Sequence, residues 1–379
     1  MKQLLCFFFI LLLSCSTATD KNNTLPILSP TDYSSKNVEL SDIIDTVKYI
    51  QLDNSMVLAG LGDVFCTERY IFGSSKYGIL MYDSLGRFLR QIGSIGEGSE
   101  EYHSYNYDMA VDEVNEVVYV FMRPDILLSY SFAGDFLNRV HAQFPGDIKG
   151  FFPCSMRVQN DLIFFYASQC HYTVNNKPLY WVAIRKDGSL AKYKTGSLDK
   201  QKKGDEGVLY VTYYTHSDDS TMLYWNLYND TVFHVRPSRE EAAYLWKKGK
   251  YRFLETDSFN DLPDDRMRCS RIIETKAFLL LTWNYMVRGA RTFYLLYDKK
   301  AGITYRLNDD MIYDKRADMS LRFNGFDYLR IGEHDYLLAQ TKSYKVADIP
   351  NAIPWGIDSD DLEGNPVLVL IRLKDDISL

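Results

Sequence analysis

Ile79-Leu-Met-Tyr-Asp-Ser-Leu-Gly-Arg-Phe-Leu-Arg-Gln-Ile92 is the stretch that decides the fold. An apolar run, Ile79 to Asp83, meets a polar turn with glycine at Ser84-Leu85-Gly86. A second run, Arg87 to Ile92, then returns. Apolar runs of this length bounded by turn residues read as a β-hairpin. The same unit recurs as Ile126 to Tyr130, Ala133-Gly134-Asp135 and Phe136 to Val140, and then as Tyr180 to Ile184, Lys186-Asp187-Gly188 and Leu190 to Tyr193. It returns as Thr231 to Val235 with Ala242 to Lys247, and as Thr292 to Tyr297, Lys300-Ala301-Gly302 and Ile303 to Arg306. Arg239 to Lys248 has some helical character, but it follows Pro237-Ser238 directly after a strand and reads as the partner strand of a hairpin.

Successive copies start roughly 50 to 60 residues apart, close to the period of propeller repeats. Two further strand-like runs lie between hairpins, such as Tyr107 to Val111 with Val117 to Phe121, and Met156 to Val158 with Leu162 to Tyr166. Four strands per repeat make one propeller blade. The last run, Pro366 to Arg372, has no partner after it, and the first, Val47 to Leu52, has no hairpin of its own. Pairing these two orphans closes a ring and removes exposed sheet edges. The expectation is therefore an all-β, six-bladed β-propeller of four-stranded blades over residues 37–379, closed by the N-terminal strand pairing with the last blade. A pair of β-sandwiches is the rival, and it leaves the repeat unexplained.

Composition agrees. The chain has 379 residues, 25% charged and 46% hydrophobic, as in ordinary globular proteins. Tyr (29) and Phe (21) dominate an aromatic fraction of 15%, which favours strands. The net charge of −7 argues against a nucleic-acid partner, which needs a basic face.

The N-terminus carries an address. Lys2 precedes an apolar run from Leu4 to Leu13, interrupted by Cys6. It is shorter than the ~20 residues of a spanning helix and suits a signal-peptide core. The run ends in Leu12-Leu13-Ser14-Cys15, which resembles the lipobox of bacterial lipoproteins, so residues 1–14 are expected to be a signal peptide and Cys15 the lipidation site. Ser16 after the cysteine resembles the signal for outer-membrane delivery. Residues 15–36, rich in Ser, Thr, Asn, Asp and Lys, read as the lipidated cysteine and a flexible tether. Asn22-Asn23-Thr24 matches a glycosylation sequon and carries little weight in a bacterial lipoprotein. The remaining cysteines, Cys66, Cys154, Cys170 and Cys269, form no Cys-x-x-Cys pair and read as buried thiols in a domain large enough to need no disulfide.

The chain looks like the six-bladed β-propeller lipoproteins related to the NHL-repeat propellers. The matching segments are Leu40 to Leu52, Leu80 to Ile92 and Gly96-Glu-Gly-Ser-Glu-Glu-Tyr102; where that family has Pro-Gly in the last segment, this chain has Ser99-Glu100. The resemblance implies the fold and assigns no reaction.

No catalytic signature is present. Gly93 to Ser99 lacks the Lys-Ser/Thr of a phosphate loop and is crowded by Glu97, Glu100 and Glu101. The six histidines are scattered singly, without the spacing of a helical zinc site. Asp358 to Gly364 lacks the EF-hand pattern, and Gly-x-Ser-x-Gly is absent. No cofactor or metal is expected. Strand counting places Tyr102, Arg123, His171, Trp283, Arg288 and Trp355 toward the face formed by second-to-third strand loops and by loops between blades. Aromatics with Arg on a concave face suit a glycan or peptide. The expected function is a lipid-anchored binding or scaffold module in the cell envelope, membrane-held through Cys15, with a glycan, peptide or protein partner. The alternatives are a hydrolase or lyase at the propeller axis and a structural subunit of a surface complex.

Overall fold

The computed structural model describes residues 24–56, 58, 60–103, 107–146, 148, 151, 153, 155–166, 172–196, 212–218, 221–254, 257, 263–286, 292–308, 311–314, 319–322, 327–341, 364–377 and 379. They form a six-bladed propeller. From the axis outward, blade 1 is Val64–Cys66, Tyr70–Ser75, Gly78–Asp83 and Phe88–Ile92. Blade 2 is Tyr107–Asp112, Val117–Met122, Ile126–Ser131 and Phe136–His141. Blade 3 is Ser155–Gln159, Leu162–Tyr166, Lys177–Arg185 and Leu190–Thr195, with Thr173–Val174 folded onto the third strand. Blade 4 is Thr212–Asp218, Thr221–Asn226, Thr231–Val235 and Glu240–Trp246, and blade 5 is Met267–Glu274, Phe278–Tyr285, Thr292–Asp298 and Ile303–Leu307. Blade 6 takes Asp327–Ile331, His334–Thr341 and Val367–Leu373 from the end of the chain and Ile44–Gln51 from its beginning. The closing pair is antiparallel, with Gln51 opposite Val367, Tyr49 opposite Val369 and Val47 opposite Ile371.

The middle strands are continuous apolar runs because both faces of each sheet are covered. Side chains alternate across a strand, so one strand serves two interfaces. In Gly78–Asp83, Ile79 and Met81 pack toward blade 2, while Leu80 and Tyr82 pack toward blade 6. In Leu162–Tyr166, Ile163 and Phe165 face blade 2, while Phe164 and Tyr166 face blade 4. Among the described residues the buried apolar side chains form six clusters, one at each blade boundary. Each fully buried Leu, Ile, Val or Phe contributes about 1.5–3 kcal/mol, so the seams rather than the hydrogen-bonded ladders supply the cohesion between blades.

The recurring glycine turn is part of the seam. Gly86, Gly134, Gly188 and Gly302 occupy the third-to-fourth-strand turn of their blades at φ of 88°, 94°, 86° and 70°. Each is in or near the left-handed region, where glycine carries no Cβ penalty. Asp83 steadies the first of these turns by accepting the Leu85 and Arg87 backbone N–H groups, both at 2.9 Å. At Gly86 the backbone also abuts the closing strand. Asp53 N–H donates to the Gly86 carbonyl at 2.8 Å, and a Cβ on Gly86 would collide with the Gln51 carbonyl. Gly188 repeats the arrangement against blade 2, with Gln143 N–H donating to its carbonyl at 2.8 Å. Gly302 has open space around it.

Two elements depart from the sequence reading. Residues 27–36 are not tether. Ile27–Leu28 pairs parallel to the outer strand of blade 4, and Ser34–Val38 parallel to the outer strand of blade 5. The chain thus straps two blades before closing the sixth. A further hairpin, Met311–Asp314 with Met319–Arg322, lies between blades 5 and 6. Residues 1–23, with the expected signal peptide and Cys15, lie outside the described residues. Cys66 and Cys269 are free thiols, whereas Cys154 and Cys170 are outside the described residues.

Gly86→Ala combines left-handed strain with a collision against the closing strand, whereas Gly302→Ala has the strain alone, about 1–2 kcal/mol. In chemical denaturation the Gly86 variant is expected to lose clearly more stability than the Gly302 variant. Equal losses would show that the turn does not bear on ring closure.

Candidate functional site

The inner strands do not meet symmetrically. That of blade 4 packs beside those of blades 5 and 6. On the other side of the axis, the ends of the inner strands of blades 1, 2, 3 and 6 surround a cavity of about 480 Å³. Its walls include Phe65 and Cys66 from blade 1, Asp112 to Asn115 from blade 2, Arg157 and Asp161 from blade 3, and Tyr328 and Arg330 from blade 6. The volume falls within the range of small-ligand sites, ~300–1,000 Å³.

Each wall is braced. The Arg157 guanidinium carbon lies 4.0 Å from the centroid of the Phe65 ring, linking blades 3 and 1 by a cation–π contact. Asp112 is buried at the end of its strand. It accepts from Lys186 Nζ at 2.8 Å and from Asn115 Nδ2 at 2.9 Å, so its charge is neutralised by blade 3 and its lone pairs are filled. The Tyr328 hydroxyl donates to Asp335 Oδ1 at 2.8 Å, and Arg330 approaches the same carboxylate at 3.6 Å. Burial, then the Asp335 charge, push the Tyr328 phenol up, so it remains a neutral donor. Burial also pushes the Cys66 thiol up to about 12, leaving it protonated and a poor nucleophile at neutral pH. Among the described residues no group of three or more His, Cys, Asp or Glu is placed to hold a metal ion.

A second polar cluster joins blades 4 and 5 on the same end of the axis. Glu274 closes the inner strand of blade 5 and is buried. His234 Nε2 lies 2.8 Å from its Oε2, Lys299 Nζ lies 2.9 Å from its Oε1, and the Tyr244 hydroxyl donates to it as well. Burial alone would raise the Glu274 carboxyl, but His234, Lys299 and Tyr244 outweigh it and bring the value to about 2. A carboxylate this acidic and fully partnered cannot deliver protons at neutral pH. It clamps two blades.

Of the sequence-expected ligand residues, the three that are described fall elsewhere. Tyr102 is buried in the seam between blades 1 and 2. Its hydroxyl accepts from Ile79 N–H at 2.9 Å and donates to the Ile92 carbonyl at 2.8 Å, pinning the seam. Trp283 is buried between blades 4 and 5, edge-on to Trp246 at 5.1 Å. Arg123 stays partly exposed and pairs with Asp108, Nη2 to Oδ2 at 3.2 Å. It lies in a second-to-third-strand loop, at the opposite end of the axis from the cavity. His171, Arg288 and Trp355 lie outside the described residues. The cavity residues come from first-to-second-strand turns, on the opposite end of the axis from the loops that the sequence singles out. Their signal is charged and amide residues at the ends of the inner strands of blades 2 and 3, at Asp112-Glu113 and Asn160-Asp161.

Because Glu274 sits below its ordinary 4.5 in the folded protein, its contribution is present above that pH and is lost as pH falls from about 4.5 toward about 2. Glu274→Gln is expected to cost about 3 kcal/mol at neutral pH and to flatten the acid limb of the stability profile over that window. Denaturation midpoints measured against pH check this, and parallel acid limbs for variant and parent would contradict it.

Comparison with known proteins agrees with the architecture. The crystal structure of a candidate exported protein of Bacteroides fragilis NCTC 9343 superposes with a TM-score of 0.61 at 16% identity, over 93% of this chain and 100% of that chain. A member of the DUF4221 family from Bacteroides vulgatus ATCC 8482 gives a TM-score of 0.49 at 12% identity, over 88% of this chain and 97% of that chain. No curated protein matches the sequence. Residues 23–372 match the family model described as a domain of unknown function, DUF4934. The chain belongs to the DUF4934 family.

Proposed function

We propose that this chain is a lipid-anchored, extracytoplasmic binding propeller related to the NHL-repeat propellers, held at the outer membrane through Cys15. Its ligand, a glycan or peptide segment, sits in the axial cavity. The observation that carries the reading is that cavity: ligand-sized, on the axis, and walled by charged and aromatic side chains from four blades. Arg157 and Arg330 offer donors to carboxylate or hydroxyl oxygens, Asp161 and Glu113 accept hydroxyl or amide protons, and Phe65 gives an apolar floor. The lipobox-like Leu12-Leu13-Ser14-Cys15 supports the anchor, and the candidate exported protein of similar fold agrees with an extracytoplasmic place. The Cys66 thiol is held protonated by burial and the Tyr328 hydroxyl is engaged by Asp335, which supports recognition through the charged wall groups rather than reaction at these two.

Glycan and peptide arrays probed with the folded protein are expected to yield a ligand. Titration calorimetry with that ligand is then expected to show at least about tenfold weaker binding for Arg157→Ala, the scale of one lost charge-assisted hydrogen bond. Arg123→Ala, at the other end of the axis, should bind as the parent does. Blank arrays, or the reverse pattern between the two variants with their circular dichroism unchanged, would overturn the proposal.

A further inference from the structure

The strap made by residues 27–38 determines where the lipid leash leaves the propeller. Ile27 pairs with Leu245 and Leu28 with Trp246, so the described chain begins on the outer edge of blade 4. Thr24 stands nine residues after Cys15. At ~3.3–3.6 Å per residue, that leash spans at most about 30 Å even when fully extended. A lipid inserted in a bilayer therefore holds the outer edge of blade 4 close to the headgroups.

The surface at that edge suits such a position. Ile27 and Tyr33 on the strap are 59% and 38% exposed, and Ile303 on the adjoining outer strand of blade 5 is 42% exposed. Aromatic and apolar side chains at a membrane–water boundary place their bodies among the upper acyl chains and their polar tips among headgroups. Charges of both signs lie around them, including the pairs Lys247 with Asp32 at 3.9 Å, Arg252 with Asp230 at 3.2 Å and Lys300 with Asp376 at 3.6 Å, together with the exposed Lys36 on the strap and Arg306, whose Nη1 donates to the Tyr33 hydroxyl at 3.5 Å. Paired charges of both signs match zwitterionic headgroups and ask for no net anionic lipid. Exposed apolar residues also occur on the outer strands of blades 2 and 3, Leu137 at 51% and Tyr193 at 43%. Those rims are not where the leash attaches, so hydrophobicity alone does not select the surface. The leash and the apolar strap coincide only at blades 4 and 5.

We propose that the outer rim of blades 4 and 5 rests on a zwitterionic phospholipid surface. The propeller then stands edge-on, its axis runs parallel to the membrane, and the axial cavity opens sideways rather than into the bilayer. This rests on the lipid-anchor reading of Cys15.

The test uses the full lipidated chain in vesicles of phosphatidylethanolamine and phosphatidylcholine. Hydroxyl-radical footprinting is read by mass spectrometry. Tyr33 and Tyr193 are a matched pair in chemistry and exposure, as are Ile27 and Leu137. In vesicles, oxidation of Tyr33 and Ile27 is expected to fall severalfold below that of Tyr193 and Leu137. Equal oxidation within both pairs, or protection of Tyr193 and Leu137 instead, would overturn the edge-on placement. Flotation of the same samples separates the two ideas. If the parent chain fails to float with vesicles, or Cys15→Ala floats equally well, the anchor reading falls and this inference falls with it. If the parent floats through Cys15 and the rim is unprotected, the inference alone is wrong.

Discussion

Ring closure by Ile44–Gln51 against Val367–Leu373 is the constraint on which the rest of the molecule depends. A propeller blade buries both of its faces, so no blade is satisfied until it has neighbours on both sides. The closing strand supplies the last of those faces. Tyr49 packs into the seam between blades 5 and 6, while Ile50 and Leu52 pack into the seam between blades 6 and 1. Gln51 and Asp53, at its end, meet the Gly86 turn of blade 1. Loss of this one strand would uncover two seams and leave an unpaired edge on Val367–Leu373.

The polar groups divide by the same geometry. Where blades meet tightly, charges are buried and fully engaged, as Glu274 is by His234, Lys299 and Tyr244. Such a cluster holds blades 4 and 5 in one relative position and has no capacity left for a ligand. Around the cavity at the ends of the inner strands of blades 1, 2, 3 and 6, Asp112 and Tyr328 are engaged by neighbouring side chains, and Arg157, Asp161 and Glu113 also line the open space. Clamp and cavity thus occupy different blade boundaries at one end of the axis. The cavity walls come from four blades, so their spacing is set by the closure and not by any single hairpin.

Much of this was legible in the sequence, for a physical reason. A repeat of apolar runs and glycine turns is imposed by burial on both faces and by a left-handed turn residue, and both leave local marks, as at Ile79 to Ile92. Closure was legible because Val47 to Leu52 and Pro366 to Arg372 each lacked a partner. The strap was not. Ile27–Leu28 and Ser34–Val38 are short, polar in context and paired in parallel to strands more than 200 residues away, and such pairing leaves no periodic signature. The site was harder still. Tyr102, in a loop between blades, and Trp283, near a strand end, read as ligand aromatics, yet both large rings are drawn into the seams between blades. The cavity residues belong to different blades and share no motif. Only the closed ring brings Phe65 under Arg157.

The most direct test of this account is native-state hydrogen exchange on the amides of Ile44–Gln51. If closure holds the ring together, these amides exchange only through the same global opening that exposes the middle strands of blades 1 and 5, with equal free energies and equal denaturant dependence. If they exchange through a local opening well below the global value while Gly78–Asp83 and Phe278–Tyr285 stay protected, the closing strand is peripheral. The cavity would then have to be held in register by some other means.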